Sequence, residues 1–590
     1  MDQGRRRGAW PRADGTDFSV WTDKASEVKI RWSDQKTGRR GELPLTQSRT
    51  EPHLYEGFIA AVVPGTSYEV LLDGVACVDP TARSLPHGVH GPAEVVERPR
   101  KAKAKRRVVL ERGEVFYELH VGTFTSEGTF AAAAQRLPVL AELGITVVEL
   151  MPIAAFAGNR GWGYDGVALM APFAPYGTLR QLCSFIDMAH ACGLSVLLDV
   201  VYNHLGPDGN YLPAFSDSYF DSGRDNPWGK APALDQAPFR QLVLDSARYW
   251  LEDVGLDGLR IDAAHALEPG GTPHILRELS AIAKQCSPPA LLTAEDDRND
   301  PAALFELGVD AIWSDDFHHC IHVLLTSERD GYYAAYQGDL PELARLIERA
   351  QLYEGQVFPV TGRPRGRPAA DVPRHRLIYA LQNHDQIGNR AHGERLNELC
   401  NASQFKAITL LLLFLPTTPL LFMGQEVATS SPFLYFSDHA GELGEAVTNG
   451  RKQEFAHFAA FRSEAQANVP DPQAEETFLR SKVRFDVEDA LAAREFHRVA
   501  LRLRRDDAVL RGPREISAGV EGAVLWTMAR SAAGRRLLLL NMGGPITLQK
   551  VGGHTTAGAE LLLSTVPALL DDLELRLPGE CCAILALPEN

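Results

Sequence analysis

Eight short, continuously apolar runs alternate with helical patterns between residues 115 and 426, and this alternation limits the fold more than any other feature. The runs are VFYELHV (115–121), ITVVELMP (145–152), LSVLLDVVYNH (194–204), LDGLRIDA (256–263), ALLTAED (290–296), VDAIWSDDF (309–317), RLIYALQNHD (376–385) and TPLLFMGQE (418–426). A strand this apolar is buried on both faces, as parallel strands are when helices cover the sheet. Helical patterns lie between them at 129–143, 178–192, 236–253, 273–285, 340–352 and 402–414. Such alternation gives a doubly wound sheet or a barrel. Eight runs with polar residues at their C-terminal ends predict a (β/α)8 TIM barrel with its working rim at those ends.

The flanks read differently. Phe18–Trp21, Val28–Trp32 and Tyr68–Leu72 alternate apolar and polar residues, with turn signals at Asp14-Gly15 and Asp73-Gly74. They predict a small β-sandwich. The basic run Arg98–Arg107 after it reads as a solvated linker. Past residue 515 strand patterns return (GAVLWTMARS, RRLLLLNM, ELLLS, LELRL, CAILALP), predicting an antiparallel β-domain. The expected fold is α/β: an N-terminal β-sandwich at 1–97, the barrel at 108–485, and a helix plus antiparallel β-domain at 486–590.

Composition removes several classes. A net charge of −16 argues against nucleic acid, and the basic run carries no interleaved aromatics. None of the eight cysteines has C-x-x-C spacing, so no zinc site is expected. The first residues lack the apolar stretch of a signal peptide. The strongest apolar run, Ile408–Met423, is cut by Pro416 and Pro419, so no membrane span is expected. A cytoplasmic, reduced protein with no metal and no cofactor is the expectation; oligomeric state is not legible.

Polar residues cluster where the runs end. Asp199, Asn203 and His204 close the third; Arg260, Asp262 and His265 the fourth; Glu295 the fifth; His384 and Asp385 the seventh. A charge beside a buried strand is costly unless paired. Three carboxylates and an arginine on one rim suit glycoside hydrolysis, which needs an acid for the leaving oxygen and an anion beside the oxocarbenium centre. Arg260 and Asp262, two apart, share a strand face, so the guanidinium can keep Asp262 ionised. Asp262 and Asp385 are expected to raise Glu295. Asp199 reads as a structural partner of Arg260.

DVVYNH (199–204), GLRIDAAH (258–265), AED (294–296) and QNHD (382–385) resemble, in order, the four short motifs of the α-amylase family of glycoside hydrolases. The resemblance implies a retaining mechanism: Asp262 as nucleophile, Glu295 as general acid/base, Asp385 as the carboxylate that holds sugar hydroxyls. Retention sets the first two carboxyls roughly 5 to 5.5 Å apart. It also implies that His204 and His384 hydrogen-bond the sugar before the cleaved bond, that Tyr164 in RGWGYDG (160–166) lies beneath it, and that His265 lines the subsite beyond. Trp162 is either a sugar contact or a core aromatic. His318 and His319, in SDDFHH (314–319), are either rim ligands or supports. Asn203 helps bind calcium in some relatives, but no other calcium ligands accompany it here.

Longer stretches, among them NRGWGYDGV (159–167), NHLGPDGNYLP (203–213), DDFHH (315–319), QNHDQIGNR (382–390) and FMGQEVATSSPFLYFSDH (422–439), are similar to the trehalose-releasing members of that family. They imply a maltooligosaccharide substrate ending in trehalose, cut by water at the adjoining α-1,4 bond, and a sandwich of the immunoglobulin-like, glycan-binding type. Cys192 and Phe173 depart from the pattern away from the chemistry. The alternatives are a glycogen branching enzyme, a general α-1,4-glucan hydrolase and a non-catalytic glycan-binding scaffold.

Overall fold

The computed structural model describes residues 7–99, 105–455, 469–571 and 574–588. All eight apolar runs form strands of one closed parallel barrel: β1 (Phe116–Leu119), β2 (Val147–Leu150), β3 (Ser195–Val200), β4 (Gly258–Ile261), β5 (Leu291–Glu295), β6 (Ala311–Trp313), β7 (Leu377–Ala380) and β8 (Thr418–Phe422). β8 pairs back onto β1, with Leu420 opposite Phe116. The expected helices surround it. Leu179–Ala191 starts with a capping box from Thr178 and Gln181, and Ala402–Phe414 with one from Asn401 and Gln404.

A stride of two along each strand decides what fills the barrel. Phe116, Val147, Leu197, Leu291, Ala311, Ile378 and Leu420 form an apolar interior cluster, which Val108 and Leu110 also join. Two residues further along, the same faces carry Glu118 on β1, Glu149 on β2, Asp199 on β3, Arg260 on β4 and Thr293 on β5. Another step reaches Asp262 and Glu295. The interior thus passes from oil to charge toward the C-terminal rim. Gly258 is required low in this stack, because a Cβ there would stand 2.4 Å from the Leu291 carbonyl oxygen.

The N-terminal region is a two-sheet sandwich. One sheet runs Gly8–Arg12, Gly15–Trp21, Leu54–Ile59, Thr46–Gln47; the other runs Arg40–Pro44, Val28–Ser33, Ser67–Leu72, Val75–Cys77. Phe18 and Tyr68 meet edge to face across its core. The basic run differs from the solvated linker expected: Arg98 donates to the Pro11 carbonyl and Lys105 to that of Leu251. Arg106 makes a bidentate pair with buried Glu114. Residues 100–104 of the run lie outside the described residues. At the other end, a five-stranded antiparallel sheet (Glu515–Glu521, Val524–Ser531, Gly534–Asn541, Cys581–Ala586, Glu560–Ser564) faces the helix Ala402–Phe414. Arg504 of the helix Ala490–Asp506 donates to the carbonyls of Leu413, Leu415 and Thr417, satisfying groups that a helix end leaves bare. Among the described residues no helix is long and apolar enough to cross a membrane.

Candidate active site

The charged upper layer is organised by one guanidinium. Arg260 is about 1% exposed. Its Nη1 donates to Asp199 Oδ2 at 2.6 Å and to Asp262 Oδ1 at 3.1 Å, and its Nη2 donates to Glu295 Oε2 at 2.8 Å. The guanidinium lies flat over Trp313, 4.2 Å from the ring centre. The pairing with Asp199 follows the expectation. The contact with Glu295 does not: the same arginine that neutralises Asp262 also reaches the second carboxyl.

Asp262 accepts a further bond on Oδ2 from Asn203 Nδ2 at 2.8 Å, so Asn203 orients this carboxylate. The next residue, Ala263, adopts φ 39° and ψ 55°, a left-handed conformation uncommon for a residue with a Cβ. Its N–H then meets Glu295 Oε2 at 3.1 Å. Both donors to Glu295 reach Oε2, which leaves Oε1 to carry a proton. Burial pushes the Glu295 carboxyl up; Arg260 opposes this, while Asp262, Asp385 and Asp315 add to it, and the result is a pKa of about 8. The carboxyls named in the sequence do act in the expected sense, but burial is the larger cause.

A cavity of about 830 Å³ opens over these groups, and Asp262, Glu295, Asp385, Tyr164, His204, His265, His384 and Trp162 all line it. Tyr164 donates its hydroxyl to Asp199 at 2.7 Å and lies nearly parallel to the His384 ring, 5.1 Å away. His384 Nε2 stands 2.8 Å from the same hydroxyl oxygen, and its Nδ1 stands 2.5 Å from Glu118 Oε1. Burial alone would lower His384, but Glu118 raises it to about 9, so it is a cation at neutral pH. Asp385 lies in the first turn of a short helix (His384–Gly388) capped by Asn383 and is held by Asn389 Nδ2 at 2.7 Å.

Three further side chains are engaged by the protein itself. His204 has both ring nitrogens engaged, Nε2 with the Tyr164 carbonyl at 2.7 Å and Nδ1 with Asn203, so neither is open to a sugar hydroxyl. Trp162 is buried, donates its indole N–H to the Leu434 carbonyl, and stands edge-on behind His384 as part of the wall. His319 lies outside the cavity, packed among Tyr332, Tyr333 and Tyr336, while His318 bonds Leu381 O and the Tyr333 hydroxyl. His265 lines the cavity, and its Nδ1 lies 3.4 Å from Asp297 Oδ1. His265, Asp296 and Asp297 have potential ligand atoms within 4.8 Å of one another, but Asp296 is already engaged by Arg298.

Sequence reasoning passed over three residues. Glu118 fixes His384. Glu149, about 1% exposed, has no hydrogen-bond partner for either oxygen; burial drives its carboxyl well above the ordinary range, Arg260 opposes this and Glu118 and Asp199 add to it, which favours the neutral acid. Both were visible as lone glutamates inside apolar runs. The third is Trp228, about 39% exposed, whose ring stacks on His204 with centroids 3.6 Å apart. It sits at the turn of a hairpin formed by Phe220–Asn226 and Gly229–Pro232.

Residues 101–228 match the alpha amylase catalytic domain. The chain is 45% identical to the malto-oligosyltrehalose trehalohydrolase of Deinococcus radiodurans, over 90% of this chain and 88% of that one. It is 38% identical to the enzyme of that name from Arthrobacter ramosus, over 94% of this chain and 98% of the relative. A Salmonella typhimurium crystal structure, described as a candidate alpha amylase, superposes with a TM-score of 0.87 at 36% identity over 98% of this chain and 99% of that one. By contrast, a 1,4-alpha-glucan branching enzyme from Aliivibrio fischeri is 30% identical over only 43% of this chain and 39% of its own length. A cleft built on Asp262, Glu295 and Arg260, together with this likeness along nearly the whole length, leads to one assignment: the chain belongs to the malto-oligosyltrehalose trehalohydrolases, glycoside hydrolases of the α-amylase family.

Proposed function

We propose that this enzyme hydrolyses the α-1,4 bond next to the terminal trehalose unit of a maltooligosyltrehalose, releasing free trehalose and a shorter maltooligosaccharide. The observation that carries the chemistry is the asymmetry of two carboxyls on one guanidinium. Asp262 holds donors on both oxygens, from Arg260 and Asn203, which suits an ionised nucleophile. Glu295, at about 8, carries a proton at neutral pH and suits the general acid. Glu295 protonates the departing trehalose oxygen as Asp262 attacks the anomeric carbon. The resulting Glu295 carboxylate then takes a proton from water, which opens the glycosyl–Asp262 ester. Asp385 holds ring hydroxyls, and Tyr164, with the His384 cation against it, forms the floor beneath the sugar. Trehalose leaves past His265 and Trp228.

Further parts of the reading are three units at 1–97, 108–485 and 486–590, and a cytoplasmic setting, where eight free cysteines stay reduced.

Product analysis tests the substrate. Maltopentaosyl-trehalose is expected to give free trehalose as the dominant product and to be cleaved far faster than maltopentaose. Equal rates on the two would make the enzyme a general α-glucan hydrolase, and an altered iodine stain on amylose without new reducing ends would make it a branching enzyme. Proton NMR of the first turnovers tests the mechanism: the new reducing end is expected as the α-anomer, and an initial β-anomer would rule out a glycosyl-Asp262 intermediate.

The acid role fixes a pH dependence. Protonated Glu295 is the active form, so kcat/KM is expected to hold below about pH 8 and to fall above it. Glu295→Gln, with no proton to give, is expected to lose about 10²–10⁴-fold in kcat and to lose that alkaline limb. A limb that survives in the variant assigns it to another group.

A further inference from the structure

We propose that Asp165 and His439 are positioning residues that fix the indole of Trp228 as a wall of the substrate cleft. The inference rests on the proposed reading of that cleft. The hairpin bearing Trp228 is two-stranded, its register slips between Phe220 and Asp225, and most of its side chains face solvent. Such a ribbon has little stability of its own. Its geometry must come from what grips it.

The base of the hairpin is held from the N-terminal sandwich. Thr22 donates to the Phe215 carbonyl at 2.7 Å, Lys24 to Asp217 at 2.7 Å, and Trp21 meets Tyr219 edge to face. Its middle is held by Arg224, which donates to the Glu268 carbonyl. At the tip Trp228 turns inward, stacking on His204. Stacking on His204 fixes the plane of the indole but lets it slide and turn within that plane. The indole N–H removes this freedom by donating to Asp165 Oδ1 at 3.1 Å, because a hydrogen bond is directional where a stack is not.

Asp165 is itself braced. Its other oxygen, Oδ2, lies 3.4 Å from His439 Nε2, and the His439 side chain is about 4% exposed. The His439 backbone N–H is tied to Gln473. The bond to Asp165 raises His439 more than burial lowers it, and Asp208 and Asp438 add to the rise, which favours the imidazolium that holds the carboxylate. Gly206 also crosses directly over Asp165: a Cβ there would stand 2.1 Å from the Asp165 carbonyl oxygen. Since Asp165 follows Tyr164 in the chain, adjacent residues serve the floor and the wall.

A double-mutant cycle tests this on the full chain with maltopentaosyl-trehalose. Asp165→Ala is expected to raise KM about tenfold with kcat within threefold of wild type, while Asp165→Asn, which keeps an acceptor oxygen, recovers most of the loss. Trp228→Phe, which keeps a ring but lacks the N–H, is expected to match Asp165→Ala. His439→Gln is expected to raise KM three- to fivefold. Adding Asp165→Ala to Trp228→Ala is expected to change KM by less than twofold. A full tenfold effect in the Trp228→Ala background would make Asp165 a direct sugar contact and overturn the proposal, as would a wild-type KM in Asp165→Ala or in His439→Gln. The same cycle run on uncapped maltopentaose separates this outcome from a failure of the trehalose reading, because the coupling between the two residues does not depend on which end of the glucan is released.

Discussion

Asp262→Ala is expected to lower kcat on the order of 10⁵-fold, the scale on which covalent catalysis fails when its nucleophile is removed. The neighbouring carboxyls are already engaged: Asp199 by Tyr164 and Arg260, and Glu295 by Arg260 and the Ala263 N–H. The substitution leaves Arg260 still paired with Asp199 and Glu295, so the fold is expected to survive and the capped substrate still to bind. Initial rates on maltopentaosyl-trehalose, with circular dichroism to confirm folding and calorimetry to measure binding, check all three. Residual turnover above about 1% would remove Asp262 from the role of nucleophile.

Arg260→Met is expected to have the largest effect on stability. The guanidinium compensates Asp199 and Asp262 in the buried layer and favours the ionisation of Glu295 against the effect of burial. Methionine fills a similar volume and compensates nothing. Breaking a buried pair by removing one partner costs about 3–5 kcal/mol, because an unpaired charge is left behind. Burial already raises Asp199 to about 6 against the pull of Arg260, so losing the arginine sends it higher. A carboxyl with a raised folded pKa supports the fold at low pH and withdraws that support as pH rises. The gap in melting temperature between variant and wild type is therefore expected to be wider at pH 8 than at pH 5, with catalysis lost at both. Equal melting at pH 8 would show that the acids of this layer do not need their cation.

The barrel was legible because strands buried on both faces leave little choice of residue: eight runs had to be apolar, and several end on polar groups. Asp262, Glu295 and Asp385 were legible for the same reason, since a charge at the end of such a run needs a purpose. The buried acids inside the runs were overlooked because Glu118 and Glu149 read as breaks in apolar character, and only the strand register shows them facing the same interior. Trp228 was overlooked for the opposite reason. Its hairpin has no apolar alternation, because neighbouring loops hold it rather than a core of its own. His204 and His319 show the limit of reading roles from motifs: a sequence position says which histidine is near the rim, but not whether its nitrogens are already taken, as in His204, or its ring is packed among tyrosines, as in His319.

Glu149 links folding to protons. In the unfolded chain this carboxyl ionises near its ordinary value of 4.5; inside the barrel, with no partner for either oxygen, it stays neutral well above that. Folding at a pH above 4.5 therefore favours proton uptake at this position. The support this group gives the fold is complete below about pH 4.5 and drains away as the medium becomes more alkaline. The charged interior of the barrel thus favours mildly acidic surroundings, and so does the protonated carboxyl of Glu295 in the cleft.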